Sequence, residues 1–302
     1  MPLFHPKVLT KELTIQPIPE HILPIITDWA NSIKSKAIYS QKETALSGQF
    51  VQKILVEVLG YTGFSNNHQQ WNFTREEPLG KGNVDVALGQ FTTDTSKVLV
   101  PFELKGAKTK DLDAIMPGRH KSPVQQAWEY AMDAPGAQWV MLSNYVEIRL
   151  YAVGYGRQDY EVWQLEQLTD PTEYARFISL LHADNLLTSH TKILLEASEK
   201  AEKDITDSLY VDYQQLRLHL ITRLEADNPN LLAEHIVSLA QTLLDRILFI
   251  AFAEDRNLLP DKTLEKVYQH SDPYNPRPVW ENFKGLFNAI DKGNSHLNIP
   301  CL

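Results

Sequence analysis

The chain has almost no cysteine: among its 302 residues the single one is Cys301. A disulfide framework and a thiolate zinc site are therefore excluded, and a reducing cytoplasm is the expected location. The ten histidines show none of the HExxH-type spacing of zinc ligands. The first residues lack the apolar core of a signal peptide.

Long apolar runs are also missing, because no uninterrupted run approaches the roughly 18 residues that a membrane span needs. The longest apolar helix candidate, around 243–253, is interrupted by Asp245 and Arg246. We therefore predict a buried core helix there, and no membrane partner.

Basic residues are outnumbered, and the net charge is −9. Most of the excess acid follows about residue 165, however, and one earlier segment carries a local surplus of positive charge: Lys105, Lys108, Lys110, Arg119 and Lys121. Such a patch is enough to hold a phosphate backbone, so the net charge does not exclude DNA. A charged loop that is merely solvated is the alternative interpretation.

Apolar periodicity and turn residues predict mixed secondary structure up to about residue 168. Two helices, 19–35 and 41–59, come first, the second ended by Gly60. A short strand, or the approach to one, is expected at 71–73. Strands follow at 84–91 and 98–104 with a hairpin between them, then a helix at 123–132 with Ser122 as its N-cap. Further strands are expected at 138–143, 147–152 and 161–165.

From residue 171 onward the pattern indicates helices alone, at 171–182, 189–207, 210–225, 233–257 and 263–269. The prediction is an α/β fold with a mixed sheet flanked by helices, followed by an all-α domain. The predicted domains are residues 1–168 and 169–302.

The hairpin places chemistry at one of its ends. If its centre lies near Asp94, antiparallel pairing sets Asp85 opposite Glu103, and facing residues have Cβ atoms about 4.5–5.5 Å apart. Lys105, two residues after Glu103, points to the same face. A bulge at Pro101 is the alternative that shifts this register by one residue.

Two facing carboxylates repel each other unless a cation lies between them. Mg²⁺ does this well, because it binds through one or two carboxylates and keeps several waters, and Mn²⁺ is expected to substitute. A metal held there can polarise a phosphate, while Lys105 orients the attacking water or offsets developing charge. Asp85, Glu103 and Lys105 therefore form a coherent site for phosphodiester hydrolysis.

The segments NVDVALG, with Asp85, and FELKG, with Glu103 and Lys105, resemble the D…ExK core of the PD-(D/E)XK nuclease superfamily. Glu43, in KETA, resembles the extra acidic residue that many members place beside the metal. QAWEY, with Gln126 and Tyr130, resembles the QxxxY pattern of some members. The resemblance implies a restriction-endonuclease-like fold in which Gln126 and Tyr130 lie close to the active site and the DNA.

In order along the chain, FELKGAK, SPVQQAWEYA, WVMLSNYVEIRLY and LLDRILFIAFAEDRNLLP resemble the N-terminal half of Type IIG restriction–modification enzymes. That resemblance implies a DNA endonuclease for defence against foreign DNA, with residues 169–302 as a helical connector. Methyltransferase and target-recognition domains would follow, and S-adenosylmethionine would bind there only. No glycine-rich methyl-donor loop or NPPY-type motif occurs in this chain, so we expect a fragment that ends before the methyltransferase.

Two alternatives stay open. The first is a DNA-repair or RNA nuclease of the same superfamily, and the second is a non-catalytic scaffold that keeps the fold without the chemistry. If the chain does cut both DNA strands with one site, a transient homodimer on double-stranded DNA is expected.

Overall fold

The computed structural model describes residues 2–116, 118, 120–256 and 258–293. By contacts within the chain it divides into two compact units, Met1–Asp204 and Ile205–Leu302. The all-helical region begins at Pro171, close to the predicted position. The first compact unit nevertheless extends past the predicted boundary at residue 168, because helices after the sheet still pack on the sheet's core.

The first unit is a mixed α/β structure built on one six-stranded sheet. Its strands are β1 (Trp71–Leu79), β2 (Gly82–Phe91), β3 (Ser96–Leu104), β4 (Trp139–Ser143), β5 (Glu147–Ala152) and β6 (Glu161–Gln164). Its helices are α1 (Pro6–Glu12), α2 (Leu23–Lys34), α3 (Glu43–Phe50), α4 (Pro123–Asp133), α5 (Pro171–Leu181) and α6 (Ala183–Leu186). Helix α3 continues as a π-helix over Val51–Val58.

The strands lie in chain order across the sheet, and neighbours are antiparallel except for β3 and β4. A parallel pair needs a crossover, and α4 supplies it. This helix begins where the sequence predicts: the Ser122 hydroxyl accepts a hydrogen bond from the Gln125 backbone N–H, and the Gln125 side-chain oxygen accepts one from the Ser122 backbone N–H. Such a capping box satisfies two backbone N–H groups that the first helical turn leaves without partners.

Each face of the sheet has its own core. The larger cluster includes Phe50 from α3, Phe102 from β3 and Phe177 from α5. A smaller cluster lies between α4 and the sheet and includes Trp128 and Val140. Helix α4 therefore packs over β3 and β4, and the first turns of α4 lie beside the C-terminal end of β3.

The second unit contains the C-terminal part of α7 (His190–Asp227), with α8 (Ala233–Asp255), α9 (Thr263–Gln269) and α10 (Val279–Lys292). Its core consists of Ile250, Ala253, Leu259, Leu286, Phe287 and Ile290. The predicted break between 207 and 210 is wrong, because α7 runs through it. Helix α10 was not predicted.

Helix α8 is long and apolar enough to cross a membrane by length and composition, features that core helices of soluble proteins share. Leu244, Ile250 and Ala253 are buried, whereas Phe249 and Phe252 are exposed. The predicted buried core helix is therefore confirmed for one face of α8 only.

Candidate active site

The β2–β3 hairpin brings Asp85 and Glu103 to corresponding positions at one end of the ladder. Val86 is paired with Phe102, so Asp85 and Glu103 are the next residue on each strand. The turn lies beyond Phe91, at the opposite end of the hairpin. The predicted facing of the two carboxylates thus agrees with the strand register.

A bulge in β3 decides this register, and it lies closer to the turn than Pro101. Gly89 pairs with Val98 while Leu88 pairs with Val100, so Leu99 is the extra residue. Without it, pairing counted from the turn would set Phe102 rather than Glu103 opposite Asp85. A Cβ on Gly89 would lie 2.0 Å from the Lys97 carbonyl oxygen, so only glycine allows this close approach.

Asp85 lies where the alternation of β2 is broken. Val84 and Ala87 pack in one cluster, whereas Val86 and Leu88 pack in the main one. The Asp85 carboxylate accepts a hydrogen bond of 2.7 Å from the Leu104 backbone N–H of the neighbouring strand.

The pKa of Asp85 is raised above its ordinary value. Burial of the half-buried carboxyl is the largest cause, and the negative charges of Glu43 and Glu76 act in the same direction. The Leu104 N–H and the Lys105 ammonium oppose the rise. A site where several carboxylates repel one another is one that an added cation stabilises.

Glu103 and Lys105 share the α4 face of β3, as their spacing predicts. They are 2% and 4% exposed, and the Lys105 ammonium donates to Glu103 Oε1. Gln126 Nε2 on α4 donates to the same oxygen at 2.7 Å. The structure therefore brings three of the predicted site residues into direct contact.

Glu43 joins the site from α3. Its Oε2 accepts a hydrogen bond of 2.9 Å from the backbone N–H of Gly106, the residue after Lys105. The Tyr145 hydroxyl donates to the Glu43 carbonyl oxygen at 3.4 Å. The N-terminus of α3 is thus fastened to the end of β3, and the Glu43 carboxylate lies close enough to Asp85 to affect its pKa.

Tyr130 lies one helical turn after Gln126 on α4, and its hydroxyl contacts β2 instead of β3. Its hydroxyl donates to the Asn83 carbonyl oxygen at 2.9 Å, and a side-chain hydrogen bond with Gln126 and the negative charge of Glu103 also act on it. Burial raises the pKa of Tyr130. Tyr130 therefore fixes the start of β2 against α4, two residues before Asp85.

The basic loop after β3 is partly anchored. Lys108 and Lys110 are exposed, Lys121 is paired with Glu129, and Arg119 lies outside the described residues. Asp113 in this loop forms a 2.8 Å ion pair with Arg149 of β5, a buried residue that sequence reasoning missed. The loop that carries the lysines is therefore tied to the sheet.

Glu76 is a second residue that the sequence analysis missed. It lies between the pairs Arg75–Val86 and Glu77–Val84, which places it beside Asp85, and its φ is 52°. This backbone conformation is uncommon for a residue other than glycine. The sequence does contain a signal for this position, the Gly80–Lys81–Gly82 turn of a hairpin. Counting back from that turn along β1 sets Glu76 opposite Asp85.

Among the described residues, no three His, Cys, Asp or Glu side chains are grouped closely enough to hold a metal ion by themselves. Mg²⁺ does not require three protein ligands, because it is commonly held by one or two carboxylates with waters and substrate phosphate. Asp85 and Glu103 supply hard oxygen donors, and the mutual repulsion around Asp85 favours an added cation. The residues present therefore fit Mg²⁺, with Glu43 beside them.

No family model, no curated protein and no solved structure matches this chain. Any functional conclusion therefore depends on the motifs quoted above and on the geometry of this site.

Proposed function

We propose that the chain is the Mg²⁺-dependent DNA endonuclease portion of a restriction–modification enzyme of Type IIG character. The observation that carries the proposal is the meeting of Asp85, Glu103, Lys105 and Gln126 at the end of β3, with Glu43 fastened to the next residue. These residues come from β2, β3, α3 and α4, and nothing in the packing of a sheet requires them to converge.

Mg²⁺, or Mn²⁺ in its place, would be held by Asp85 and Glu103 and would supply charge stabilisation at a scissile phosphate. Lys105 holds its ammonium beside Glu103, where it can orient an attacking water and offset the negative charge that develops on the phosphate. Gln126 keeps the Glu103 carboxylate in place from α4.

The wider proposal concerns the substrate and the rest of the enzyme. Double-stranded DNA is the proposed substrate, with Lys108, Lys110 and Lys121 as contacts to its backbone. Target recognition and methylation, including S-adenosylmethionine binding, would belong to domains joined to this chain. One active site per chain favours a transient homodimer for cutting both strands.

A non-catalytic scaffold is the second candidate, and one observation favours it. The Lys105 ammonium already neutralises the charge of the Glu103 carboxylate, so the buried pair does not need a metal ion for charge balance. In that case Lys105 would keep the metal out instead of assisting catalysis.

Calorimetry with Mn²⁺ and Mg²⁺ distinguishes the two candidates, together with nicking of plasmid DNA by the same samples. The variants are Asp85→Ala and Glu103→Gln, with Asp94→Ala as the matched control at the turn of the same hairpin, where the side chain is exposed. The nuclease proposal expects metal binding and nicking to be lost in the two site variants and retained in the control. Thermal melts of each variant establish that the fold is kept.

Failure to bind metal, with DNA present, would favour the scaffold. Nicking that survives Asp85→Ala would show that another site, or a contaminant, cuts the DNA.

A further inference from the structure

A cleft of about 710 Å³ lies beside the candidate active site, between the β1–β2 turn and α4. The turn contributes Gly80, Lys81 and Gly82, and α4 contributes Tyr130 and Asp133. Lys121, Glu129 and Arg157 are also among its lining residues. We infer that this cleft binds a backbone phosphate of the DNA strand that is cut, with Lys81 and Arg157 as the phosphate ligands. The inference rests on the proposed nuclease function and adds a binding site to it.

The shape of the cleft is determined by close contacts between the turn and α4. Gly80 has a φ of +59°, and a Cβ there would lie 1.9 Å from Asp133 Oδ2. The Tyr130 hydroxyl holds the next strand through the Asn83 carbonyl. The turn is therefore packed on the helix, and Lys81 at its tip has a defined position relative to α4.

The same helix connects the cleft to the carboxylates. Gln126 contacts Glu103, and Tyr130, four residues further along α4, lines the cleft. At 1.5 Å per residue this separation is about 6 Å along the helix axis. The Tyr130 side of the cleft is therefore about one helical turn from the residue that contacts Glu103.

The charges of the cleft favour an anion. Lys121 is paired with Glu129, so these two largely cancel. In the described part of the chain, neither Lys81 nor Arg157 lies within ion-pair distance of a carboxylate. The Arg157 guanidinium is 5.9 Å from the centre of the Trp128 ring, a contact that steadies it at the rim. With Asp133 counted, the cleft keeps a net positive charge.

The double variant Lys81→Ala/Arg157→Ala tests this inference, and Lys7→Ala/Lys11→Ala on α1 is the matched control with the same change in net charge. Affinity for a DNA duplex is measured by fluorescence anisotropy without divalent metal, over a series of salt concentrations, and nicking is measured with Mg²⁺. We expect the cleft variant to bind about tenfold more weakly and the control to bind as the unmodified chain does. The slope of log affinity against log salt should become shallower by about 0.9, the loss of one phosphate contact.

Equal affinity of the cleft variant and the unmodified chain would overturn the inference, and so would an equal loss in the control. In either case continued nicking by the unmodified chain leaves the nuclease proposal standing. An unmodified chain that neither binds nor nicks DNA would overturn both. If the double variant melts early, Lys81→Glu alone repeats the test, since Lys81 is exposed at the tip of a turn.

Discussion

Replacing Lys105 with methionine removes the positive charge that neutralises Glu103 while keeping most of the side-chain volume. Both residues are almost fully buried, and removing one partner of a buried ion pair typically costs 3–5 kcal/mol. Because Gln126 still donates to Glu103, we expect the lower end, about 3 kcal/mol. For a compact unit of the size of Met1–Asp204 this corresponds to a fall in Tm of about 6–12 °C.

Thermal denaturation in a Mg²⁺ series shows whether this charge and the metal occupy neighbouring positions. In Lys105→Met the added Mg²⁺ supplies the missing positive charge, so the rise in Tm should exceed that of the unmodified chain. At one hundred times its Kd a ligand stabilises the fold by about 2.7 kcal/mol, which would restore most of the loss. Nicking should remain absent, since the water-orienting ammonium is gone.

Lys108→Met is the control, because Lys108 is exposed in the loop that follows. Its Tm and its response to Mg²⁺ should match those of the unmodified chain. If Mg²⁺ raised the Tm of Lys105→Met no more than that of the unmodified chain, the reasoning that places the metal beside Glu103 would be refuted.

Gly89→Ala should destabilise the fold by about 1–3 kcal/mol in urea denaturation and abolish nicking, because the added Cβ meets the Lys97 carbonyl and disturbs the bulge that sets the register. The control is Gly48→Ala, on α3 with open space around it, which should stabilise the fold by about 0.5–1 kcal/mol. Asp85→Asn should be more stable than the unmodified, metal-free chain at neutral pH. Burial raises the pKa of Asp85, so the folded state binds the carboxyl proton more tightly than the unfolded state does. The stability of the unmodified chain therefore falls relative to that of the variant as pH rises from about 3.8 through the raised pKa. Denaturation from about pH 3.5 to about pH 7 should show no difference at the acid end and the largest difference at neutral pH. Ser122→Ala should lower the unfolding free energy by about 1 kcal/mol through loss of the α4 cap, without changing metal binding by calorimetry.

The accuracy of the sequence predictions varies with how local their physical causes are. The strand at Glu147–Ala152 and the helix at Thr263–Gln269 agree with prediction residue for residue, because the apolar periodicity that predicts each one lies within the segment itself. Strand β1 was predicted only at its start, since its polar residues hide the alternation until the Gly80 turn is considered. The prediction divided α7 into two helices. Its sequence contains no signal that ends a helix at that point, and the structure shows one continuous helix.

For the candidate site, the sequence by itself determined the residue types and their order along β2, β3 and α4. It also determined that Glu103 and Lys105 share a face, since side chains two apart on a strand point the same way. Only the tertiary structure decided what those residues touch: the bulge at Leu99, the Gln126 contact with Glu103 and the Glu43 contact with Gly106. These contacts join segments far apart in the chain, and their geometry depends on how α3 and α4 pack on the sheet, which local patterns do not encode.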